Sequence, residues 1–354
     1  MHVSASLSVI SLLGHVPHGR PHGAPHPPPI IHIRIGLRRN RVWPLWAPAQ
    51  DKRRIPKVGV LWHAGSAEEE GPLFTTLVEE FRRLGYIDGQ TIILEHRFPN
   101  EMPERFRSMV AELVALNVDA LISSGNSAAP YAKKATATIP VVAMFISDPV
   151  GTKLVDSIAR PGGNVTGLSY FASELIGKRL QLLKEAVPGL SRVAQLVNPL
   201  AQISRLYVDL TQTAGDQLGL TVERFEAGSR DELEPAFTAM ARADMQAVLT
   251  NSDGLAYAQR ELIGQLALKN RLAAAVFVRE ALVPGTLLSY GADALEICRR
   301  TAVYVDRILK GEKPGDLPVE QPTKFQFVIN LRTADALGLT IPPLLLNQAD
   351  EVIS

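Results

Sequence analysis

Cysteine is almost missing from this chain: Cys298 stands alone among 354 residues, which excludes an intrachain disulfide and any zinc site built on cysteine. Histidine is nearly as scarce where a fold would use it. Six of the eight histidines fall in residues 1–54, leaving only His63 and His96 for the rest of the chain, which argues against catalysis by paired imidazoles. No apolar run reaches the roughly 18 residues of a membrane-spanning helix. The phosphate-binding patterns G-x-G-x-x-G and G-x-x-x-x-G-K-[ST] are missing, as is the G-x-S-x-G elbow of the serine hydrolases. Nucleotide binding and triad hydrolysis therefore have no support.

The net charge of +1 conceals an uneven distribution. Residues 1–54 hold eight of the 37 Lys/Arg and one of the 36 Asp/Glu, so the remaining chain carries −6. A mildly acidic body lacks the basic face that nucleic-acid phosphates require. The first 54 residues also contain eight prolines, with three in a row at Pro27-Pro28-Pro29, and show no sustained hydrophobic period. Such a segment has nothing to pack, so it is read as a disordered or misassigned leader. Its end, Ala47-Pro48-Ala49-Gln50, has the A-x-A pattern of a signal-peptide cleavage site, but no apolar h-region precedes it. We expect a periplasmic protein whose signal peptide is incomplete as written. The leader's histidines lack the fixed spacing of a metal site.

From Ile55 onward, short apolar runs alternate with amphipathic stretches, the mark of parallel sheets covered by helices. Strands are expected at 57–62, 91–95, 118–123, 141–146 and 164–168, separated by helices at 73–84, 103–116, 127–136 and 150–159. A second copy of this rhythm follows, with helices at 175–187, 203–218, 233–242 and 255–269 and strands at 193–197, 220–225, 247–250 and 273–277. Strand 286–290, a helix running to Leu309 that contains a buried Cys298, a Gly/Pro-rich link and strand 324–329 complete the reading. The repetition predicts two Rossmann-like α/β lobes with a boundary near 160–170. The first comprises 55–167 with about 286–318, and the second 168–285 with about 319–354, joined by several crossings.

In parallel α/β sheets ligands bind beyond the carboxyl ends of the strands. The turns that follow the strands begin at His63, Ser124, Ser147, Asn198, Asn251, Val278 and Tyr290, and are rich in small polar residues. At Gly125-Asn126-Ser127 a helix opens directly after a strand. Its free N–H groups suit a carboxylate, although Asn126 or Ser127 as a simple helix cap fits equally well. Asp148 is read either as a cap or as a ligand contact. Asp253 has the further option of holding an ammonium group, and Glu280 is read as ligand-facing, lobe-bridging or solvated.

Six segments, in order, span about 55–354: IPKVGVLW, EEFRRLGYIDGQTIILEHRF, AELVALNVDALISSGNSAA, ATATIPVVAMFISDPVGTKLVDSIARPGGNVTGLS, GKRLQLLKEAVPGLSRVAQLVNP, and LLSYGADALEICRRTAVYVDRILKGEKPGDLPVEQPTKFQFVINLRTADALGLTIPP. In these the chain resembles the ABC-transporter substrate-binding family, whose members include tryptophan and other aromatic amino-acid binders; SDPVG, ARPGGNVTG and LPVEQPTKF are the most specific stretches. The resemblance implies a type I periplasmic-binding architecture with a multi-strand hinge, no catalysis and no cofactor. It further implies a small organic ligand of amino-acid or aromatic carboxylate type, delivery to a membrane permease with its ATPase, and a monomer. Carried onto this sequence, the cleft positions are Ser66, Gly125, Asn126, Ser127, Asp148, Asp253, Glu280 and Tyr290. The surroundings of His63 and Gly65, and Asn251-Ser252, stand where family members differ, so tryptophan is not carried over as the ligand. Two rival readings use the same α/β pattern: a ligand sensor for a membrane receptor, and a cytoplasmic transferase, which would need a phosphate loop or metal carboxylates. A repressor would need a helix-turn-helix before Ile55, which the Pro-rich leader does not supply.

Overall fold

The computed structural model describes residues 54–201 and 203–354; the expectations for the leader lie outside these. The first sheet is built from β1 (Lys57–Leu61), β2 (Ile93–Arg97), β3 (Ala120–Ser124), β4 (Val141–Ile146) and β5 (Val165–Ser169). Between them run α1 (Ala67–Glu70), α2 (Pro72–Arg83), α3 (Pro103–Ala115) and α4 (Gly125–Ala135). α2 shows why these elements form: Pro72 occupies its first turn, and Leu73, Leu77 and Phe81 fall on one buried stripe. β3 is buried at every position, as befits a strand covered on both faces.

The second half repeats the plan with α5 (Ile176–Ala186), β6 (Arg192–Val197), α6 (Ser204–Leu218), β7 (Thr221–Glu226), α7 (Arg230–Arg242), β8 (Ala247–Thr250), α8 (Gly254–Ala258), α9 (Arg260–Lys269) and β9 (Ala273–Val276). β10 (Leu288–Ala292), α10 (Ala294–Leu309), β11 (Phe325–Asn330), α11 (Leu331–Leu337), α12 (Pro343–Leu346) and β12 (Glu351–Ile353) close the chain. The sheets run β2-β1-β3-β4-β5 and β12-β11-β10-β9-β8-β6-β7. Five strands of the second sheet, taken as β7-β6-β8-β9-β10, thus repeat the order of the first. All pairings are parallel except β10 with β11. These are the two α/β lobes of a type I periplasmic-binding fold.

Three segments join the lobes: the exit from β5, the step from β10 into α10, and the return from α10 to β11. The first and third are zipped together where Ser169 N donates to Glu320 O (2.7 Å) and Glu320 N to Gly167 O (2.9 Å). Arg300 grips the Glu320 carboxylate with two bonds of 2.8 and 2.7 Å. β10 corrects one expectation. Residues of about 286–318 are expected in the first lobe, yet β10 pairs with β9 in the second sheet, while α10 packs on α2 and β4 and the turn Pro314–Asp316 on β5. The expected helix at 150–159 is a set of turns. Asp148 and Lys153 have φ of 44° and 58°, and the Pro149 carbonyl accepts from both Leu154 N and Val155 N, which coils the backbone out of helical register. The helix expected over 255–269 breaks at Gln259 into α8 and α9. Cys298 is buried in α10, with its thiol held well above the usual range by burial.

Trp62, wholly buried at the end of β1, anchors an aromatic cluster with Phe74, His96 and Phe98, and its Nε1 donates to His96 Nδ1 at 3.0 Å. Burial lowers the His96 pKa to about 4, against 6.5 in the unfolded chain. The folded state then binds fewer protons than the unfolded one between these values, so stability falls as pH drops from about 6.5 toward 4. Over that window the loss is of the order of 3 kcal/mol at about 1.4 kcal/mol per pKa unit. Urea unfolding between pH 7 and pH 4 is expected to show this loss, and His96→Gln, which keeps an acceptor for Trp62, should flatten it.

Candidate functional site

The strand order reverses between β2-β1 and β3 in the first sheet, and between β7-β6 and β8 in the second. Helices leave a parallel sheet in opposite directions at such a point, opening a crevice at the strand ends. The two crevices face one another around a cavity of about 170 Å³, slightly larger than an engineered pocket of roughly 150 Å³ known to admit benzene. The first lobe lines it with His63 after β1, Glu101 after β2, Gly125-Asn126-Ser127 after β3, and Phe106, Tyr131 and Phe145. The second contributes Asn198, Leu200 and Ile203 after β6, Gly228 after β7, Ser252-Asp253-Gly254 after β8, and Tyr257 and Phe277.

Part of the cavity lining is polar. Ser124 precedes α4 without making a side-chain cap, and Gly125 turns the chain at φ 78°. The Asn126 side chain is committed elsewhere, its Oδ1 accepting from Ser147 N at 3.0 Å. The first-turn amides of α4 are consequently uncapped, and with the helix dipole they make an anion-binding end. Nearby stand two carboxylates from opposite lobes. Asp253 caps α8, its Oδ1 accepting from Leu255 N (3.0 Å) and Ala256 N (3.2 Å), and Asn198 Nδ2 reaches both its oxygens at 3.3 and 3.2 Å. Glu101 has its Oε1 sealed from solvent without a partner. Burial and then the charge of Asp253 push the Glu101 carboxyl well above the usual range; burial likewise raises Asp253, against the opposing bonds from Ala256 N and Asn198.

Another part of the lining is aromatic. Phe106 and Tyr131 stack with centroids 5.2 Å apart and planes 6° from parallel. Phe145 meets Tyr170 edge-on at 5.8 Å, and Tyr170 donates its hydroxyl to Phe277 O at 2.8 Å. Phe145 has φ 58°, an uncommon conformation for a bulky residue, at an irregularity where the β4–β5 register shifts between Ala143 and Ile146. Bulges of this kind re-aim side chains beside binding sites. Across the cleft, Ser147 and Tyr207 share a buried hydrogen bond of 2.9 Å, and Arg260 Nη1 donates to Glu69 O at 2.8 Å. The two lobes are thus locked face to face around the cavity.

Of the residues expected from sequence, Gly125, Asn126, Ser127 and Asp253 line the cavity. Four others lie elsewhere, for identifiable reasons. Ser66 caps α1, accepting from Glu69 N at 3.3 Å. Exposed Asp148 closes its own turn by accepting from Gly151 N at 2.8 Å. Glu280 sits in the short turn Arg279–Ala281 behind the cavity wall, partly buried. Tyr290 is half-buried against Phe325 and Phe327, on the β10 face that packs toward β11. Sequence reading missed Glu101, although the strand-tip rule applied to the turn after β2 points to it. Phe106, Tyr131 and Tyr257 reach in from helices, and no turn signal marks them. Among the described residues, no group of three or more His, Cys, Asp or Glu is arranged to hold a metal ion.

Residues 74–353 match the family model described as ABC transporter substrate binding protein. The chain belongs to that family. Its members bind solutes and are not enzymes. A tyrosine-binding protein of Clostridioides difficile is 25% identical over 256 residues, covering 72% of this chain and 73% of the relative. A Streptococcus pneumoniae ABC domain solved in complex with L-Trp superposes with a TM-score of 0.77 at 26% identity, over 85% of this chain and 100% of that one. A conserved domain protein of Vibrio cholerae superposes with a TM-score of 0.79 at 25% identity, over 84% and 100%.

Gly254 lies at a close approach between the lobes: a Cβ there would overlap Glu101 Oε1 and come within 3.2 Å of the His63 ring. Gly254→Val should hold the lobes apart while changing stability by less than about 1 kcal/mol, since the position lies in neither core. Small-angle scattering is expected to show a larger radius of gyration than the parent protein under the same conditions.

Proposed function

We propose that this protein is the extracytoplasmic solute-binding component of an ABC importer and that its ligand is an aromatic amino acid. The observation that carries this reading is the meeting of two chemistries in one cavity lining. Uncapped α4 amides and opposed carboxylates supply one, and Phe106, Tyr131 and Phe145 the other. A zwitterion would set its carboxylate on the amides at Gly125–Ser127 and its ammonium toward Asp253, with the ring among the aromatic side chains. The tyrosine-binding and tryptophan-bound relatives support the same ligand class.

Function follows from the hinge. A ligand that touches both lobes binds the apposed arrangement more tightly than the separated one, and shifts the population by that difference. The Ser147–Tyr207 and Arg260–Glu69 bonds form only when the lobes meet, so they report closure. The closed face would then dock on the permease, whose ATPase drives release.

Isothermal titration with L-tyrosine, L-tryptophan, L-phenylalanine and L-leucine tests the proposal. At least one aromatic amino acid is expected to bind with micromolar or tighter affinity, about −8 kcal/mol or better. L-Leucine should bind at least tenfold more weakly, and L-tyrosinamide, which lacks the carboxylate, should lose at least tenfold against L-tyrosine. Asn126→Ala and Asp253→Ala should each weaken binding of the preferred ligand. A protein that binds none of the aromatic acids, purified with its lobes intact, would sink the assignment.

A further inference from the structure

Glu101 and Asp253 line the same cavity from opposite lobes, but their acceptor capacity is used differently. Asp253 is occupied with the first turn of α8 and with Asn198. The Oε1 of Glu101 is buried with nothing to accept from. The backbone that delivers it is unusual. Asn100 and Glu101 both have positive φ, 56° and 54°, and their N–H groups are pinned to Ala64 O (3.0 Å) and His63 O (2.9 Å) of the loop after β1. Consecutive non-glycine residues in this region carry backbone strain, and such strain gathers at binding sites. Here it fixes a carboxylate where the lobes close, against Gly254 and beside His63.

No lysine or arginine is among the residues that line this cavity. Bringing two carboxylates together in a buried site with no lysine or arginine beside them is unfavourable, and a proton or a ligand-borne positive charge helps to offset it. We infer that Glu101 is a specificity-determining residue that makes a ligand-borne ammonium group obligatory, by accepting its N–H bonds at a cavity-lining carboxylate that the protein leaves short of donors. This inference rests on the amino-acid reading above and moves the main ammonium contact from Asp253, whose oxygens already accept from the protein, to Glu101. Its consequence is selectivity by amine as well as by ring: an acid of the same shape without the amine would close the lobes on unopposed negative charge.

The test compares L-tyrosine with 3-(4-hydroxyphenyl)propionate, the same molecule with hydrogen in place of the amine, by titration calorimetry at pH 7.5 on the parent protein, Glu101→Gln and Asp253→Asn. The parent protein should prefer L-tyrosine at least a hundredfold. In Glu101→Gln the preference should shrink at least tenfold, through weaker amino-acid binding and stronger binding of the deaminated acid. Its melting temperature without ligand should match or exceed that of the parent, which separates the effect from misfolding. Asp253→Asn should narrow the preference less. Equal binding of both compounds by the parent, an unchanged preference in Glu101→Gln, or a collapse confined to Asp253→Asn would each overturn the role of Glu101 while leaving an aromatic ligand in place. A parent protein that binds neither compound, and none of the other aromatic amino acids, would overturn both readings together.

Discussion

A parallel strand cannot be joined to its neighbour by a tight turn; the chain must cross back over the sheet, usually as a helix, before it can run the same way again. That requirement governs this molecule. It sends every strand-to-helix turn of a sheet to one edge, and where the strand order reverses it parts the helices and leaves those turns exposed. Each lobe has one such reversal, and the lobes are joined so that the two edges meet. His63, Glu101 and Gly125 on one side, and Asn198 and Asp253 on the other, are neighbours for this reason, although up to 190 residues separate them along the chain.

The hinge lets those edges meet and part without disturbing either core. Its segments are tied to one another by the short pairing around Ser169 and Glu320 and by Arg300, while α10, entered from the second sheet, packs on the first. With three crossings, rotation about the hinge is guided, and twisting or sliding would break backbone bonds. Three hydrogen bonds cross between the lobes: Ser147 with Tyr207, Arg260 with the Glu69 carbonyl, Tyr257 with the Glu70 carbonyl. Such bonds give modest net stabilisation, about 1 kcal/mol each, so the open and closed arrangements differ by an amount that a bound solute is able to tip.

The cavity itself joins two environments that would be unfavourable apart. Its aromatic wall depends on Phe145, held at a positive φ by the irregular β4, and its acidic wall on Glu101, held at a positive φ by the β1 loop. The well-packed strands around them over-determine both conformations, which is how strain persists at a site. A guest with a ring at one end and a zwitterion at the other answers both walls at once.

Alternating apolar runs and amphipathic stretches made the two βα repeats legible, along with most strands and the position of Gly125-Asn126-Ser127 and Asp253 at strand tips. These signals are local, because a buried strand or a helix stripe is written in consecutive residues. The segment SDPVGTKLVD reads as a helix by composition, but the backbone closes on Asp148 and Pro149 through bonds that periodicity does not record. Tyr131 and Phe106 look like ordinary helix residues, and only the packing of α3 on α4 turns their stacked rings toward the cleft. Glu101 looks like a solvated acid after a turn, and β10 like an addition to the first lobe. Sequence by itself determined the family, the fold class and which turns stand at the strand ends. Tertiary structure decided which of those turns face each other, because distance through space between the lobes is set by the hinge and the strand order and has no counterpart in spacing along the chain.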